Sequence, residues 1–188
     1  LCNNIIINNI STIDINIVGY ISEEQAELQF IKNISTTEKN YIIAFDPLDG
    51  SSNVNFNINS GTIYAIYEYD SVNHIFTNII KAGYCLYGPS TILVETFNNN
   101  VLLYKLNINN KFIFIKNLGF NSSKIYSINQ SNEFNKEIDT IIKYYVRNNY
   151  SQRWVGTMVA DCHRILMSNG IFIYTNTLKN PNGKIRLF

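Results

Sequence analysis

Apolar residues recur along the chain in two different periods, and the period switches several times. Residues 3 to 17 carry Ile6, Ile10, Ile13 and Ile17 at helical spacing, which predicts an amphipathic helix. A short strand is expected around Val18 to Ile21, followed by the acidic pair Glu23-Glu24. From Tyr41 to Lys116 the pattern is that of strands: Tyr41 to Phe45, Thr62 to Tyr69, Ile79 to Tyr87, Thr91 to Phe97, Val101 to Leu106 and Lys111 to Lys116. These runs are rich in Ile, Tyr, Phe and Val and are punctuated by Gly, Asn and Ser. The short gaps at Asn98-Asn99-Asn100 and Asn107 to Asn110 predict antiparallel hairpins. A second helix is predicted from Phe134 to Asn148, with Phe134, Ile138, Ile141, Ile142 and Tyr145 on one face and Ser131 or Asn132 as its N-cap. A third is expected from Met158 to Met167, before a strand at Ile171 to Tyr174. Helices flanking a strand-rich centre, in mixed order, argue a layered mixed α/β fold.

Composition narrows the functional classes. The chain has 188 residues with a net charge of +1, which suits one domain or a large piece of one. So little net charge excludes a nucleic-acid binder driven by phosphate contacts. Cys2, Cys85 and Cys162 are too few for a disulfide framework and lack metal-site spacing. Apolar runs fall far short of a membrane span, so the chain reads as soluble. Asn and Ile together make up about a third of it, an excess that an AT-rich genome produces and that makes Gly, Pro, Asp and Arg informative. The first residue is Leu1 and the last, Phe188, lies inside an apolar run, so the chain is expected to be a fragment.

The chemistry concentrates in Asp46-Pro47-Leu48-Asp49-Gly50-Ser51-Ser52-Asn53, directly after the Tyr41 to Phe45 strand. Pro47 removes a donor and pushes Asp46 toward an extended conformation. A turn there lets two carboxylates three positions apart converge beside the strand end. Gly50 permits close backbone approach, and the N–H groups of Gly50, Ser51 and Ser52 can face an anion. Two carboxylates beside a phosphate repel it unless a cation lies between them. Hard oxygen donors without a Cys or His cluster favour Mg2+ or Mn2+ over Zn2+. The plain alternative is that Asp-Pro and Asp-Gly serve turn conformation alone.

The run from Phe45 to Asn53 resembles the signature of the class I fructose-1,6-bisphosphatases, within the Mg2+-dependent sugar and inositol phosphatases. Other blocks are similar to the same family in the same order: Ser22-Glu23-Glu24, Gly61-Thr62-Ile63, Ala82-Gly83-Tyr84, Leu86-Tyr87-Gly88, Lys124 to Asn129, Val155 to Arg164, Gly170 to Tyr174 and Asn180 to Leu187. Asp-Pro-Leu-Asp-Gly is shared with the inositol phosphatases, and the later blocks point to fructose bisphosphatase.

The resemblance implies an α/β/α/β/α sandwich with mixed sheets, truncated at both ends, and one partial domain spanning residues 1–188. It implies metal ligation by Glu23, Asp46, the Leu48 carbonyl and Asp49, with Glu24 organising the attacking water and Asp49 also catalytic. Asp49, Gly50, Ser51 and Ser52 would hold the 1-phosphate; Asn129, Arg153, Trp154, Tyr174 and Lys184 would hold the 6-phosphate. Trp154 stands where a Tyr is usual, and its indole is a donor only. Asn132 replaces another phosphate-contacting Tyr. At the family's AMP site Tyr41 matches, while Asn40 replaces a Lys and Glu68 an Arg, so the usual AMP inhibition is not expected. Asp161 and Arg164 read as a helical ion pair, and His74, His163, Cys85 and Cys162 as structural or solvated. The implied reaction is Mg2+-dependent hydrolysis of fructose 1,6-bisphosphate, in gluconeogenesis, by a cytoplasmic homotetramer or at least homodimer, with no nucleic-acid or membrane partner. An organelle address upstream stays open. The alternatives are sedoheptulose-1,7-bisphosphatase and a degenerate sugar-phosphate-binding paralogue. The family places a catalytic Asp just before Leu1 and a metal-binding Glu just after Phe188, so the 188-residue piece alone is expected to be inactive.

Overall fold

Strand-forming residues dominate the first two thirds of the chain, and the computed structural model assembles them into one eight-stranded mixed sheet. It describes residues 1–13, 15–25, 27–119 and 121–183. These fall into two units, Leu1–Asn117 and Leu118–Phe188.

In the first unit, helix α1 (Cys2–Ile10) precedes strands β1 (Ile17–Ser22), β2 (Gln29–Phe30) and β3 (Asn40–Asp49). A single 3-10 segment, Ser51–Phe56, follows β3. Then come β4 (Ser60–Asp70), β5 (Ile75–Tyr87), β6 (Thr91–Phe97), β7 (Asn100–Leu106) and β8 (Phe112–Asn117). The order across the sheet is β2-β1-β3-β4-β5-β6-β7-β8. From β3 onward each strand pairs antiparallel with its chain neighbour, and the β6–β7 and β7–β8 hairpins are those that the Asn gaps predict. Among the described residues of this sheet, only β1 and β3 run parallel.

β3 is buried on both faces, which explains its uninterrupted apolar run. Ile43 and Phe45 join Ile10, Ile17 and Tyr20 in one cluster, against which Ile6 and Ile7 of α1 pack. Ile42 and Ala44 face the other way, into a cluster with Val18, Ile21 and Tyr69. Strand alternation thus divides one sequence between two cores.

The predicted helix over residues 3 to 17 is too long. It ends at Ile10, where Thr12 Oγ1 donates to the Asn9 carbonyl at 2.7 Å and Asn9 Nδ2 to the Ile5 carbonyl at 2.7 Å. Ile17, completely buried, belongs to β1, while Ile13 is exposed. Sheet burial outweighs a helical spacing that Ile17 satisfies only by position.

The second unit holds β9 (Ile125–Ser127), α2 (Lys136–Arg147), β10 (Ser151–Gln152), α3 (Met158–Ser168) and β11 (Ile171–Phe172). Its three strands form a parallel sheet in the order β10-β9-β11. The N-cap of α2 is Asn135, whose side chain accepts from the Ile138 N–H at 3.0 Å. Ser131 and Asn132 do not cap it, because the chain reverses at Asn129 before the helix starts: Ser131 N–H and Oγ both donate to Asn129 Oδ1. The predicted α3 matches, whereas the strand after it is shorter than expected. The whole is a mixed α/β fold with a mixed sheet, as the pattern predicts.

Candidate active site

The acidic residues are gathered by the ends of β1 and β3, the parallel pair of the large sheet. Register pairs Ser22 with Phe45, and the Glu23 N–H continues that ladder by donating to the Phe45 carbonyl at 3.1 Å. Glu23 is thereby set beside Asp46. The turn behind it is fixed by completely buried Ser22, whose Oγ donates to Asn3 Oδ1 of α1 at 2.7 Å and accepts from the Glu24 N–H at 3.3 Å.

Asp46-Pro47-Leu48-Asp49 does not form a turn after the strand, as its composition suggests; it lies inside β3. Two residues separate Asp46 from Asp49, an odd spacing that puts side chains on opposite faces of a regular strand. The register is irregular there: Asp46 pairs with Ile63 and Asp49 with Gly61, residues on one face of β4. The extra residue is a bulge, and it turns both carboxylates to the same side. Pro47 suits this position because a bulged residue needs no ladder N–H. Thr62 Oγ1 of β4 donates to the Pro47 carbonyl at 2.9 Å and lies 2.7 Å from Tyr87 Oη, so the bulge is held from its neighbour. The reversal comes at Gly50, with φ of 78°, a left-handed conformation that strongly favours glycine. Ser51 and Ser52 then open a helical turn, whose first N–H groups have no intrahelical acceptors.

Electrostatics confirm the convergence of three acids. Asp46 is pushed up to about 7, first by burial, then by a hydrogen bond with Glu23, and further by the charges of Glu23 and Asp49. The Leu48 N–H, donating to Asp46 Oδ1 at 2.9 Å, only partly offsets this. Among the described residues no group of three or more His, Cys, Asp or Glu side chains is already disposed as a metal cage. The donors have the hard-oxygen chemistry that Mg2+ takes, at a spacing where two carboxyls share a proton. A divalent cation can replace that proton, so the residues present fit the ion. Glu24 is exposed in the turn beside Glu23.

The other candidate residues belong to the second unit. Asn129, Arg153 with Trp154, and Tyr174 each follow the carboxyl end of one of three adjacent parallel strands, β9, β10 and β11. Open α/β sheets bind ligands at that end. Asn129 Oδ1 is occupied by Ser131, whose Oγ donates at 2.6 Å. Arg153 is exposed; its N–H donates to the Tyr126 carbonyl and its Nη1 to the Gln152 carbonyl, both at 2.8 Å. Trp154 and Tyr174 are partly exposed, and Tyr174 stacks on Phe172 at 6.0 Å between ring centroids. Lys184 lies outside the described residues.

The expected Asp161–Arg164 ion pair does not form. Asp161 is completely buried, its Oδ1 accepting from Ser127 Oγ at 3.0 Å and the Val155 N–H at 2.9 Å, and its Oδ2 from the Gly156 N–H at 2.9 Å. Arg164, three residues on, faces solvent. The helical spacing points Asp161 to the wrong partner, although an acid in the first turn of a helix entered through a glycine is the signal that could have found its true role. At the AMP-site positions, Glu68 pairs with Lys39 at 2.6 Å and accepts from Asn78 Nδ2, while Asn40 is buried.

A bulge at a parallel-strand end, beside a glycine turn opening on serines, in a mixed α/β fold, is the setting in which the structure places the sequence motif. The family model for the fructose-1,6-bisphosphatase N-terminal domain matches residues 1–117 and that for its C-terminal domain residues 120–188, so the chain belongs to the fructose-1,6-bisphosphatase family. A class 1 fructose-1,6-bisphosphatase of Sulfurihydrogenibium is 42% identical over 161 residues, covering 78% of this chain and 49% of that protein. One from Neisseria meningitidis serogroup A is 36% identical, covering 100% of this chain and 62% of that protein. The crystal structure of Leishmania major fructose-1,6-bisphosphatase in holo form superimposes with a TM-score of 0.80 at 31% identity, covering 91% of this chain and 59% of that one. The chain therefore spans between about half and two thirds of the length of these relatives.

Proposed function

We propose that this chain carries much of a fructose-1,6-bisphosphatase active site and serves the hydrolysis of the 1-phosphate of fructose 1,6-bisphosphate. The observation that carries this reading is the convergence of Glu23, Asp46 and Asp49 at the β3 bulge. Glu23, Asp46, Asp49 and the Leu48 carbonyl would hold Mg2+, or Mn2+ in its place. When bound, the ion lowers the pKa of water and offsets charge on the phosphoryl and leaving oxygens.

The chain's own residues do the rest. Glu24, in the turn anchored by Ser22, orients the attacking water and accepts its proton. Gly50, Ser51 and Ser52 direct N–H and hydroxyl donors at the phosphoryl oxygens. Water oxygen bonds to phosphorus, the bond from phosphorus to the C1 oxygen breaks, and a proton returns to that oxygen. Arg153 supplies a planar fork for the 6-phosphate, with Asn129 through its Nδ2, Trp154 through its indole N–H, Tyr174 and Lys184 as further donors. An exposed Arg153 also suits a side chain that reaches a neighbouring copy, in a homodimer or homotetramer. Among the described residues no helix is long and apolar enough to cross a membrane, and we place the activity in the cytoplasm.

The test begins with the coding sequence on both sides of this chain, followed by an assay of the longest product for phosphate release. The expected result is an Asp just upstream, a Glu just downstream, and release from fructose 1,6-bisphosphate that requires Mg2+ and stops with chelator. Release that persists in chelator, or a bisphosphate that is bound but never cleaved, overturns the reading.

A further inference from the structure

Asp161 is the most completely satisfied acidic group in the second unit, and nothing in the proposed reaction uses it. It sits on α3 with no exposed surface and receives three donors from two other segments. Ser127, one of those donors, ends β9, two residues before Asn129. Val155 and Gly156, the other two, directly follow Arg153 and Trp154. Gly156 has a φ of 98°, so the backbone there takes a path that a side chain would oppose.

The segment after β10 is therefore fastened at both ends. Upstream, the Arg153 N–H donates to the Tyr126 carbonyl, and Gln152 Nε2 to the Ile128 carbonyl at 2.8 Å. Downstream, the carboxylate of Asp161 takes two successive N–H groups. Between these fixings stand Arg153 and Trp154. Charge-assisted hydrogen bonds to a buried carboxylate are about twice as strong as neutral ones, and two backbone donors define an orientation as well as an attachment. The single carboxylate thus sets the end of β9 and the end of β10 relative to each other.

We propose that Asp161 is a positioning residue for sugar-phosphate binding, acting through Arg153 rather than touching the ligand. The inference rests on the 6-phosphate reading above. Its signature is coupling: once Arg153 is removed, Asp161 has little left to position.

The experiment is a double-mutant cycle on the longest product of the gene, measuring fructose 6-phosphate affinity by calorimetry for wild type, Arg153→Ala, Asp161→Asn and the double variant. Asp161→Asn keeps one acceptor oxygen but turns an NH2 group toward an N–H donor. Each single variant is expected to weaken binding about tenfold, and the double variant to be no weaker than Arg153→Ala alone. Additive losses overturn the inference, since they mark Asp161 as a general stabiliser. So does unchanged affinity in Asp161→Asn when Arg153→Ala has lost it. If wild type does not bind, or Arg153→Ala binds normally, the 6-phosphate reading itself falls and the inference with it. Should Asp161→Asn fail to fold, Ser127→Ala replaces it in the cycle. That variant removes one of the three donors, and a loss of roughly threefold is expected, again absent from the Arg153→Ala background.

Discussion

Asp46 and Asp161 are the same residue type, both withdrawn from water, and the protein treats them in opposite ways. Asp161 meets three protein donors, Ser127 Oγ and the Val155 and Gly156 N–H groups. Asp46 meets one backbone donor and two carboxylates, Glu23 and Asp49. The first is a finished arrangement, in which burial is compensated within the fold. The second leaves negative charge facing negative charge, at a cost relieved only by a proton or by a cation from solution. The contrast separates an acid that serves structure from acids held ready for a ligand, and it does so without reference to any relative.

The largest expected effect comes from removing a ligand at the unfinished end. In the longest product of the gene, Asp49→Asn should lower turnover of fructose 1,6-bisphosphate by roughly a thousandfold or more while far-ultraviolet circular dichroism stays unchanged. Near-normal rates would sink the metal assignment. The finished end should respond in stability as well as in binding. Asp161→Ala leaves the buried Ser127 hydroxyl and two part-buried N–H groups without their acceptor, and a loss of about 2 kcal/mol in denaturant unfolding is expected. A loss below the error of the fit would mean that water replaces the carboxylate.

A third effect concerns pH. Asp46 holds its proton up to about 7 in the folded chain, against 3.8 when unperturbed. The folded state thus binds more protons between these values, and stability falls as pH rises through that window. Melts in chelator should show the decline, and Asp46→Asn should flatten it. Added Mg2+ should raise the melting temperature most at the upper end of the window. The smallest effect belongs to His163, whose pKa burial lowers from 6.5. The unfolded chain then takes up a proton first, so stability declines as pH falls below about 6.5. His163→Gln should remove that slope, and an unaltered slope would assign it elsewhere.

Much of this was legible from residues alone. The hairpins from β6 to β8 followed from Asn punctuation and β-branched runs, because loop lengths of that kind permit little else. The motif from Asp46 to Ser52 announced paired carboxylates beside an anion-binding turn. What it did not reveal was the bulge: composition said turn, whereas pairing of Asp46 with Ile63 and Asp49 with Gly61 keeps the segment in the sheet. Such a register depends on β4, which no local pattern in β3 encodes. Ile17 was misread for a similar reason, since its burial is decided by β3 and not by its spacing from Ile13. Asp161 was assigned to Arg164 because helical neighbours are visible in sequence, while Ser127 and Gly156 are neighbours only in the fold.

The meander of the first unit also bears on the order in which the molecule forms. From β3 to β8 every ladder joins strands adjacent in the chain, as where Phe97 pairs with Asn100 across a tight loop. Closing short loops loses little chain entropy, so these hairpins can assemble one upon another. The second unit has no such route: Ile125 must find Ser151, and Tyr126 must find Ile171. Since synthesis also delivers the first unit earlier, the mutually repelling acids should take their places before the strands that carry Asn129, Arg153 and Tyr174 have paired. On the proposed reading, a divalent cation would be a folding ligand for that interval, acting on a half-made protein well before a sugar phosphate would have a site to enter.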